Sequence, residues 1–170
     1  DKSSPKVVRG VLNAADVSYD AALWRGVAEM GWLGAAIPEA HGGLGLGRLE
    51  LCVLAEEIGR AVAPIPFSST VYFFAEALML AGGESQKATH LPKIASGETI
   101  GCFALSEGPG AATAAGIHAK FDGGVLNGVK IPVTDGDCAG FAVVAAREGA
   151  GVSLALVDLN QPGVTRTTLK

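Results

Sequence analysis

The 170-residue sequence lacks a long hydrophobic run, a cluster of basic residues and a signal-peptide pattern. Its longest apolar stretch, 71–80, is interrupted by Glu76 and falls short of the roughly 18 residues that a membrane-spanning helix requires. A formal net charge of −4 without a basic patch argues against nucleic acid as a partner. The polar start has no apolar core of the kind that directs secretion. These absences predict a protein without a membrane span.

Cysteine is also scarce. Only Cys52, Cys102 and Cys138 are present, and each stands among apolar neighbours far from the other two. Because no CxxC pair occurs, neither a zinc site nor a redox pair is indicated. Buried, reduced thiols in a cytoplasmic protein are the interpretation that this pattern favours.

The common catalytic and metal-binding motifs are missing as well. His41, His90 and His118 show no metal-ligand spacing, and the sequence contains no G-x-S-x-G nucleophile elbow. The glycine-rich stretch 42–47 lacks the G-x-G-x-x-G spacing of a dinucleotide-binding turn and follows no predicted strand, which favours an interhelical loop. The residues alone therefore predict no metal site and no catalytic residue.

What the sequence does contain is a helical pattern followed by a strand pattern. Up to about residue 98, apolar residues recur at helical spacing, as at Leu51, Leu54, Ala55 and Ile58. Beyond it, short β-type runs are separated by glycine, and 122–124 has the composition of a hairpin turn. The expected helices span 16–30, 47–62, 68–82 and 84–95, and the expected strands span 99–106, 115–121, 125–134, 140–147 and 152–158. Helices first and strands afterwards predict an α+β fold and not a parallel βαβ sheet.

The segment 108–113 is a candidate ligand loop because it follows a predicted strand and is rich in small residues. Glycines in such a loop let backbone N–H groups approach a phosphate or a flavin carbonyl. An ordinary turn has the same composition, so the residues alone leave both interpretations open.

Two segments of the second half carry the most specific pattern. The first reads Phe-Ala-Leu-Ser-Glu-Gly-Pro-Gly at 103–110, and the second reads Asn-Gly-Val-Lys-Ile-Pro-Val-Thr-Asp-Gly at 127–136. Together they resemble the flavin-contacting strands of the acyl-CoA dehydrogenase family, which read roughly aromatic-x-Val-Thr-Glu-Pro and Asn-Gly-x-Lys-x-Trp-Ile-Thr-Asn-Gly. Further segments are similar to the family in the same order, at 38–45, 54–60, 86–98 and 162–164.

The resemblance implies an N-terminal helical domain at 1–98 and a mostly antiparallel, β-barrel-like middle domain at 99–170. In the family a C-terminal helical bundle then carries the glutamate base, so no catalytic residue is named in this chain, which is expected to be inactive alone. The implied reaction is the FAD-dependent oxidation of an acyl-CoA thioester to the 2-enoyl-CoA. The implied partners are an electron-transfer flavoprotein and further subunits of a homo- or hetero-oligomer.

Carried over position by position, the resemblance implies four contacts with the cofactor. Phe103, Leu105 and Ser106 correspond to residues that line the flavin ring, with Ser106 in place of the family's threonine. Thr134 corresponds to the threonine that approaches the reactive edge of the flavin. These four residues are the predicted FAD-binding residues.

Two departures from the family pattern leave alternatives open. Pro132 stands where the family has a tryptophan packed against the flavin, and proline offers neither a stacking face nor a backbone N–H. Ala112 stands where the family commonly has a serine near the cofactor phosphate, with Thr113 beside it. One alternative is a non-catalytic or flavin-deficient subunit of a heteromeric acyl-CoA dehydrogenase. Another is a related flavin oxidase or monooxygenase.

Overall fold

The computed structural model describes residues 3–110 and 112–169 and divides the chain into two compact units, Asp1–Ile100 and Gly101–Lys170. The first unit is helical and the second is built on a β-sheet, which confirms the predicted α+β fold with helices before strands. Among the described residues, no helix combines the length and apolar character that crossing a bilayer requires.

The helices of the first unit lie close to the predicted positions. They are α1 (Pro5–Asn13), α2 (Ala21–Glu29), α3 (Arg48–Arg60), α4 (Glu76–Ala81) and α5 (Glu84–Ala95). Short 3-10 turns at Trp32–Gly34 and Glu39–His41 connect α2 to α3. The predicted helix at 68–82 is a π-helix, Ser68–Ala75, that continues directly into α4.

Capping residues set the ends of the first two helices. The sequence pattern does not predict α1, whose first turn is capped by Ser4, with Pro5 at its start. No residue of α1 is buried, although Val7, Val8, Val11 and Leu12 recur at helical spacing. Asp20 accepts a hydrogen bond from the Leu23 amide at 2.8 Å and begins α2 at Ala21, which corrects the start predicted at residue 16.

The core of the helical unit is formed by α2, the π-helix, α4 and α5. Leu33, Phe74 and Leu91 are fully buried, and the Trp24 indole N–H donates to the Gly97 carbonyl at 3.0 Å. Helix α3 contributes no buried residue, although its apolar spacing predicts a core-facing stripe. The periodicity therefore located the helix correctly without establishing that its apolar face is covered within this unit.

The sheet of the second unit is mixed. Its strands are β1 (Gly101–Ala104), β2 (Lys120–Asp122), β3 (Val125–Asn127), β4 (Phe141–Glu148) and β5 (Gly151–Asp158). Strand β4 pairs antiparallel with β5 along its whole length and parallel with β1, and a single parallel pair joins it to β2. The described strands form an open sheet without closure into a barrel.

The β2–β3 hairpin confirms the predicted turn. Asp122 pairs with Val125, which leaves Gly123 and Gly124 as the two loop residues. Both have positive φ, +55° and +80°, the conformation that a two-residue hairpin loop of this type demands and that glycine adopts without steric cost.

Two predicted strands are wrong in part. At 115–121 the structure has a 3-10 turn, Ala114–Gly116, and a strand only from Lys120, because the His118 and Ala119 amides bond to the Glu107 carboxylate and not to a neighbouring strand. At 125–134 the strand ends at Asn127, and Thr134 lies in a turn. Pro132 supplies no backbone donor for a ladder at that point.

The cysteines also differ from one another. Cys102 is buried, Cys138 is half-buried and Cys52 is exposed, which corrects the expectation of three buried thiols. Burial and the nearby Asp135 carboxylate raise the pKa of Cys102 to about 11. Burial, again with Asp135, raises the pKa of Cys138 to about 12. Both thiols therefore stay protonated at neutral pH.

Candidate cofactor-binding site

Strand β1 positions three of the four predicted cofactor residues. Cys102 and Ala104 are buried, at 0% and 4% exposure, whereas Phe103 between them is half-buried. Because side chains alternate along a strand, Phe103 lies on the opposite face of β1 from the buried pair. Leu105 and Ser106 follow directly after β1 and are also half-buried.

The loop after β3 runs beside the residues that follow β1. The Ile131 amide donates to the Ser106 carbonyl at 2.9 Å, and Glu107 forms an isolated parallel bridge with Ile131. The two segments that carry the family resemblance therefore lie side by side. Thr134 follows three residues after Ile131, in a turn, with an exposed side chain.

A cleft of about 220 Å³ opens beside Ser106. Residues 105–110, 112–113 and 116–118 line it, so the predicted ligand loop forms much of its wall, although Ala111 lies outside the described residues. Leu105 and Ser106 belong to this lining, whereas Phe103 and Thr134 do not. No atom lies within 4 Å of the position that a Cβ would take on Gly108 or Gly110. The loop thus leaves open space at its backbone.

Two hydroxyl groups of the cleft lining, and the Thr134 hydroxyl on the adjoining segment, have no hydrogen-bond partner among the described residues. Within the described part of the chain, the side chains of Ser106, Thr113 and Thr134 make no hydrogen bond. A hydroxyl can donate one hydrogen bond and accept two, so each of these groups is available to a ligand.

A buried ion pair lies at the wall of the cleft, to which Glu107 belongs. Lys130 Nζ is 2.6 Å from Glu107 Oε1, and the two side chains are only 8% and 10% exposed. The Glu107 carboxylate also accepts from the Ala119 amide at 3.0 Å and the His118 amide at 2.8 Å. Lys130 Nζ also donates to the Leu105 carbonyl at 3.0 Å. One carboxylate and one ammonium group thereby join three chain segments.

These contacts set the pKa of Glu107. Burial opposes ionisation, but the Lys130 hydrogen bond, the Ala119 and His118 amides and the Lys130 charge together lower the pKa of Glu107 to about 2. The carboxylate is therefore charged at any pH at which the protein is expected to work.

Two arginines hold the neighbouring turns through backbone carbonyls. Arg147 donates to the Ile117 carbonyl at 3.0 Å and to the Ala114 carbonyl at 2.7 Å, which fixes the far wall of the cleft. Arg166 donates to the Ala139 carbonyl at 2.8 Å, directly after the turn 134–138 that contains Thr134. The two Arg147 contacts join residues 30 and 33 positions apart, and the Arg166 contact joins residues 27 positions apart.

The sequence prediction assigns no role to Lys130, Arg147 or Arg166. A signal for Lys130 does exist, since the family pattern Asn-Gly-x-Lys places a lysine at that position and an acid follows the first flavin strand. The two arginines have no comparable signal, because their partners are backbone carbonyls that any residue type supplies.

Comparison with known proteins gives a consistent picture. The sequence profile described as "Acyl-CoA dehydrogenase, N-terminal domain" matches residues 5–98. Among curated proteins, the mitochondrial isovaleryl-CoA dehydrogenase of Solanum tuberosum is 37% identical over 134 residues, which are 75% of this chain and 32% of that protein. The chain spans about a third of the length of the curated relatives it matches.

Solved structures are similar across both units. A variant of the Tcur3481-Tcur3483 steroid ACAD matches with a TM-score of 0.84 and 39% identity, over 95% of this chain and 45% of that one. The ChsE4-ChsE5 complex from Mycobacterium tuberculosis matches with a TM-score of 0.86 and 28% identity, over 98% of this chain and 45% of that one.

Proposed function

Because the chain belongs to the acyl-CoA dehydrogenase family, we propose that the protein takes part in the FAD-dependent α,β-dehydrogenation of an acyl-CoA thioester to the 2-enoyl-CoA. In this proposal electrons pass to an electron-transfer flavoprotein, and the chain works within a homo- or hetero-oligomer. The observation in the structure that supports it best is the side-by-side arrangement of the Ser106 and Ile131 segments, since both resemble flavin-contacting strands.

The residues at the cleft fit a flavin. Its ring system is flat and apolar and carries carbonyl and nitrogen acceptors, which require an apolar wall and nearby donors. Leu105 supplies an apolar side chain beside the free hydroxyl of Ser106, and the backbone at Gly108 and Gly110 is open. Thr134 adds an exposed free hydroxyl on the adjoining segment.

Each residue has a distinct part in the proposed site. Ser106 and Thr134 would hold FAD through their hydroxyl groups, and the Gly108–Gly110 backbone would hold its phosphate-bearing portion. Phe103 and Leu105 would present apolar surface that keeps water away from the ring. The chemistry that FAD supplies when bound is acceptance of a hydride from the β-carbon of the acyl group.

A titration of the intact protein with FAD tests this proposal. We expect tight binding in the wild type, with Thr134→Val and Ser106→Ala each weakening it about fivefold, the effect of losing one neutral hydrogen bond of about 1 kcal/mol. Thr165→Val is the matched control, because Thr165 is an exposed threonine of the same unit. Acyl-CoA-dependent reduction of an artificial electron acceptor then tests the reaction. A wild-type protein that binds no FAD contradicts the proposal.

The second candidate is a subunit that depends on a partner for its flavin. It is favoured by Pro132, which is exposed and occupies the position of the family's stacking tryptophan. It is also favoured by the similarity to the Tcur3481-Tcur3483 steroid ACAD variant and to the ChsE4-ChsE5 complex, whose names each combine two components. Under this candidate the purified protein is colourless, and FAD is retained only after mixing with the partner subunit.

A further inference from the structure

The Glu107–Lys130 pair connects the chain segments that carry the predicted flavin contacts. Glu107 follows β1 by three residues, Lys130 follows β3, and the His118 and Ala119 amides precede β2. Among the described residues, the Ser106 and Ile131 segments are otherwise joined by the hydrogen bond from the Ile131 amide to the Ser106 carbonyl and by the isolated bridge between Glu107 and Ile131. The β2–β3 pairing joins the other two segments.

Stability alone gives little reason for a charged pair in this place. Taking two charges out of water costs free energy that the attraction between them often fails to recover, and apolar side chains of similar size are frequently as stable. What the pair provides is a fixed arrangement, since most of its donor and acceptor positions have a specific partner. Glu107 Oε1 and Oε2 accept three hydrogen bonds, and Lys130 Nζ donates two.

The pair acts directly on the predicted cofactor contacts. Lys130 holds the carbonyl of Leu105, which is bonded covalently to Ser106, and its neighbour Ile131 holds the carbonyl of Ser106. The Ser106 hydroxyl therefore projects from a backbone fixed on both sides. Thr134 lies on the same segment as Lys130, four residues further on.

We propose that Glu107 and Lys130 are positioning residues that hold the Ser106 and Thr134 segments in the spacing at which both hydroxyls reach one flavin. This inference rests on the proposed function, because it concerns the same cofactor. Neither residue needs to touch the flavin itself, so the pair acts through Leu105, Ser106 and the 130–134 segment.

The test is FAD affinity in matched variants of the intact protein, with the thermal midpoint measured separately. We expect Lys130→Met and Glu107→Gln to raise the Kd for FAD at least tenfold at a temperature where circular dichroism shows them folded. The Kd for FAD of the double variant is expected not to exceed the higher of the two single-variant values, because the two residues act as one unit. Lys130→Arg, which keeps the charge, is expected to restore most of the affinity. Lys120→Met is the control, since Lys120 is an exposed lysine on β2.

A second readout separates positioning from general stability. Amide hydrogen exchange at Ser106–Glu107 and Ile131–Thr134 is expected to quicken in Lys130→Met without added FAD, while β4 and β5 keep their protection. If the wild type binds FAD and folded Lys130→Met and Glu107→Gln bind it within twofold as tightly, the positioning role is overturned and the proposed function stands. If the wild type binds no FAD, the proposed function fails and this inference fails with it.

Discussion

The charged state of Glu107 is expected to make the second unit sensitive to acid. Its pKa is lowered from 4.5 to about 2, so the folded state binds a proton at this site less readily than the unfolded state does. Stability from a lowered pKa is fully present above the unfolded value and is lost as the pH falls through the folded value. The window for Glu107 therefore runs from about pH 5 down to about pH 2.

The size of the effect follows from the shift and the surroundings of the carboxylate. One pKa unit corresponds to 1.36 kcal/mol, so the full shift corresponds to about 3 kcal/mol. Because the pair lies beside an open cleft, solvent screening reduces the expected contribution to about 1–2 kcal/mol. That is a change of about fivefold to thirtyfold in the equilibrium constant for opening of this region.

The assay must follow the second unit specifically. Trp24, Trp32, Tyr19 and Tyr72 all lie in the first 100 residues, so intrinsic fluorescence does not report on the sheet. Amide hydrogen exchange of peptides that cover 117–122 does report on it, after correction for the intrinsic exchange rate at each pH. The comparison is between wild type and Glu107→Gln, because both carry every other titrating group of the protein.

At pH 7 the wild type is expected to be more stable than Glu107→Gln in these peptides by about 1–2 kcal/mol, the contribution of the lowered pKa after screening. The difference should disappear as the pH approaches 2, where the wild-type carboxyl group is protonated as well. Glu148→Gln, a change at an exposed glutamate of the same unit, is expected to match the wild type at every pH. A difference between wild type and Glu107→Gln that stays constant from pH 7 to pH 2 would refute the reasoning.

Three further predictions concern packing and thiol chemistry. Gly128→Ala is expected to destabilise the second unit by about 1–3 kcal/mol, because the new Cβ would lie 2.7 Å from the Ala119 Cα. Amide hydrogen exchange of residues 117–128 measures this loss of stability. Phe74→Ala is expected to cost about 3–5 kcal/mol in urea unfolding followed by tryptophan fluorescence, because the ring is fully buried. A thiol reagent at pH 8 is expected to modify one cysteine rapidly, and Cys52→Ser should remove that phase, because only this thiol is exposed.

Each of these predictions has a control within the chain. Gly151→Ala places its Cβ 3.9 Å from the nearest atom, and an equal loss of stability in Gly128→Ala and Gly151→Ala would contradict the steric argument. Phe73, beside the buried ring, is 54% exposed, so Phe73→Ala should cost far less than Phe74→Ala. Two rapidly reacting thiols in the folded protein would contradict the assignment of Cys52 as the reactive one.

The candidate site shows where local sequence patterns stop being informative. The family resemblance predicted Leu105 and Ser106 as site residues, and in the structure both line one cleft. Their segment lies beside the one that leads to Thr134. The same reasoning placed Thr134 at the end of a strand, whereas it lies in a turn. Arg166 donates to the Gly136 and Asp137 carbonyls of that turn and to the Ala139 carbonyl just after it, and no local pattern encodes such contacts between distant positions.

The sequence by itself determined the order of helices and strands, the Gly123–Gly124 hairpin and the family, because periodicity and glycine at positive φ act over a few residues. Only the tertiary structure decided that residues 117–119 do not form a strand. Their apolar alternation favours one, but the Glu107 carboxylate, 11 and 12 positions away in the chain, accepts the His118 and Ala119 amides that a strand partner would have taken. A backbone N–H satisfies one strong acceptor at a time, and which acceptor reaches it depends on how the chain folds.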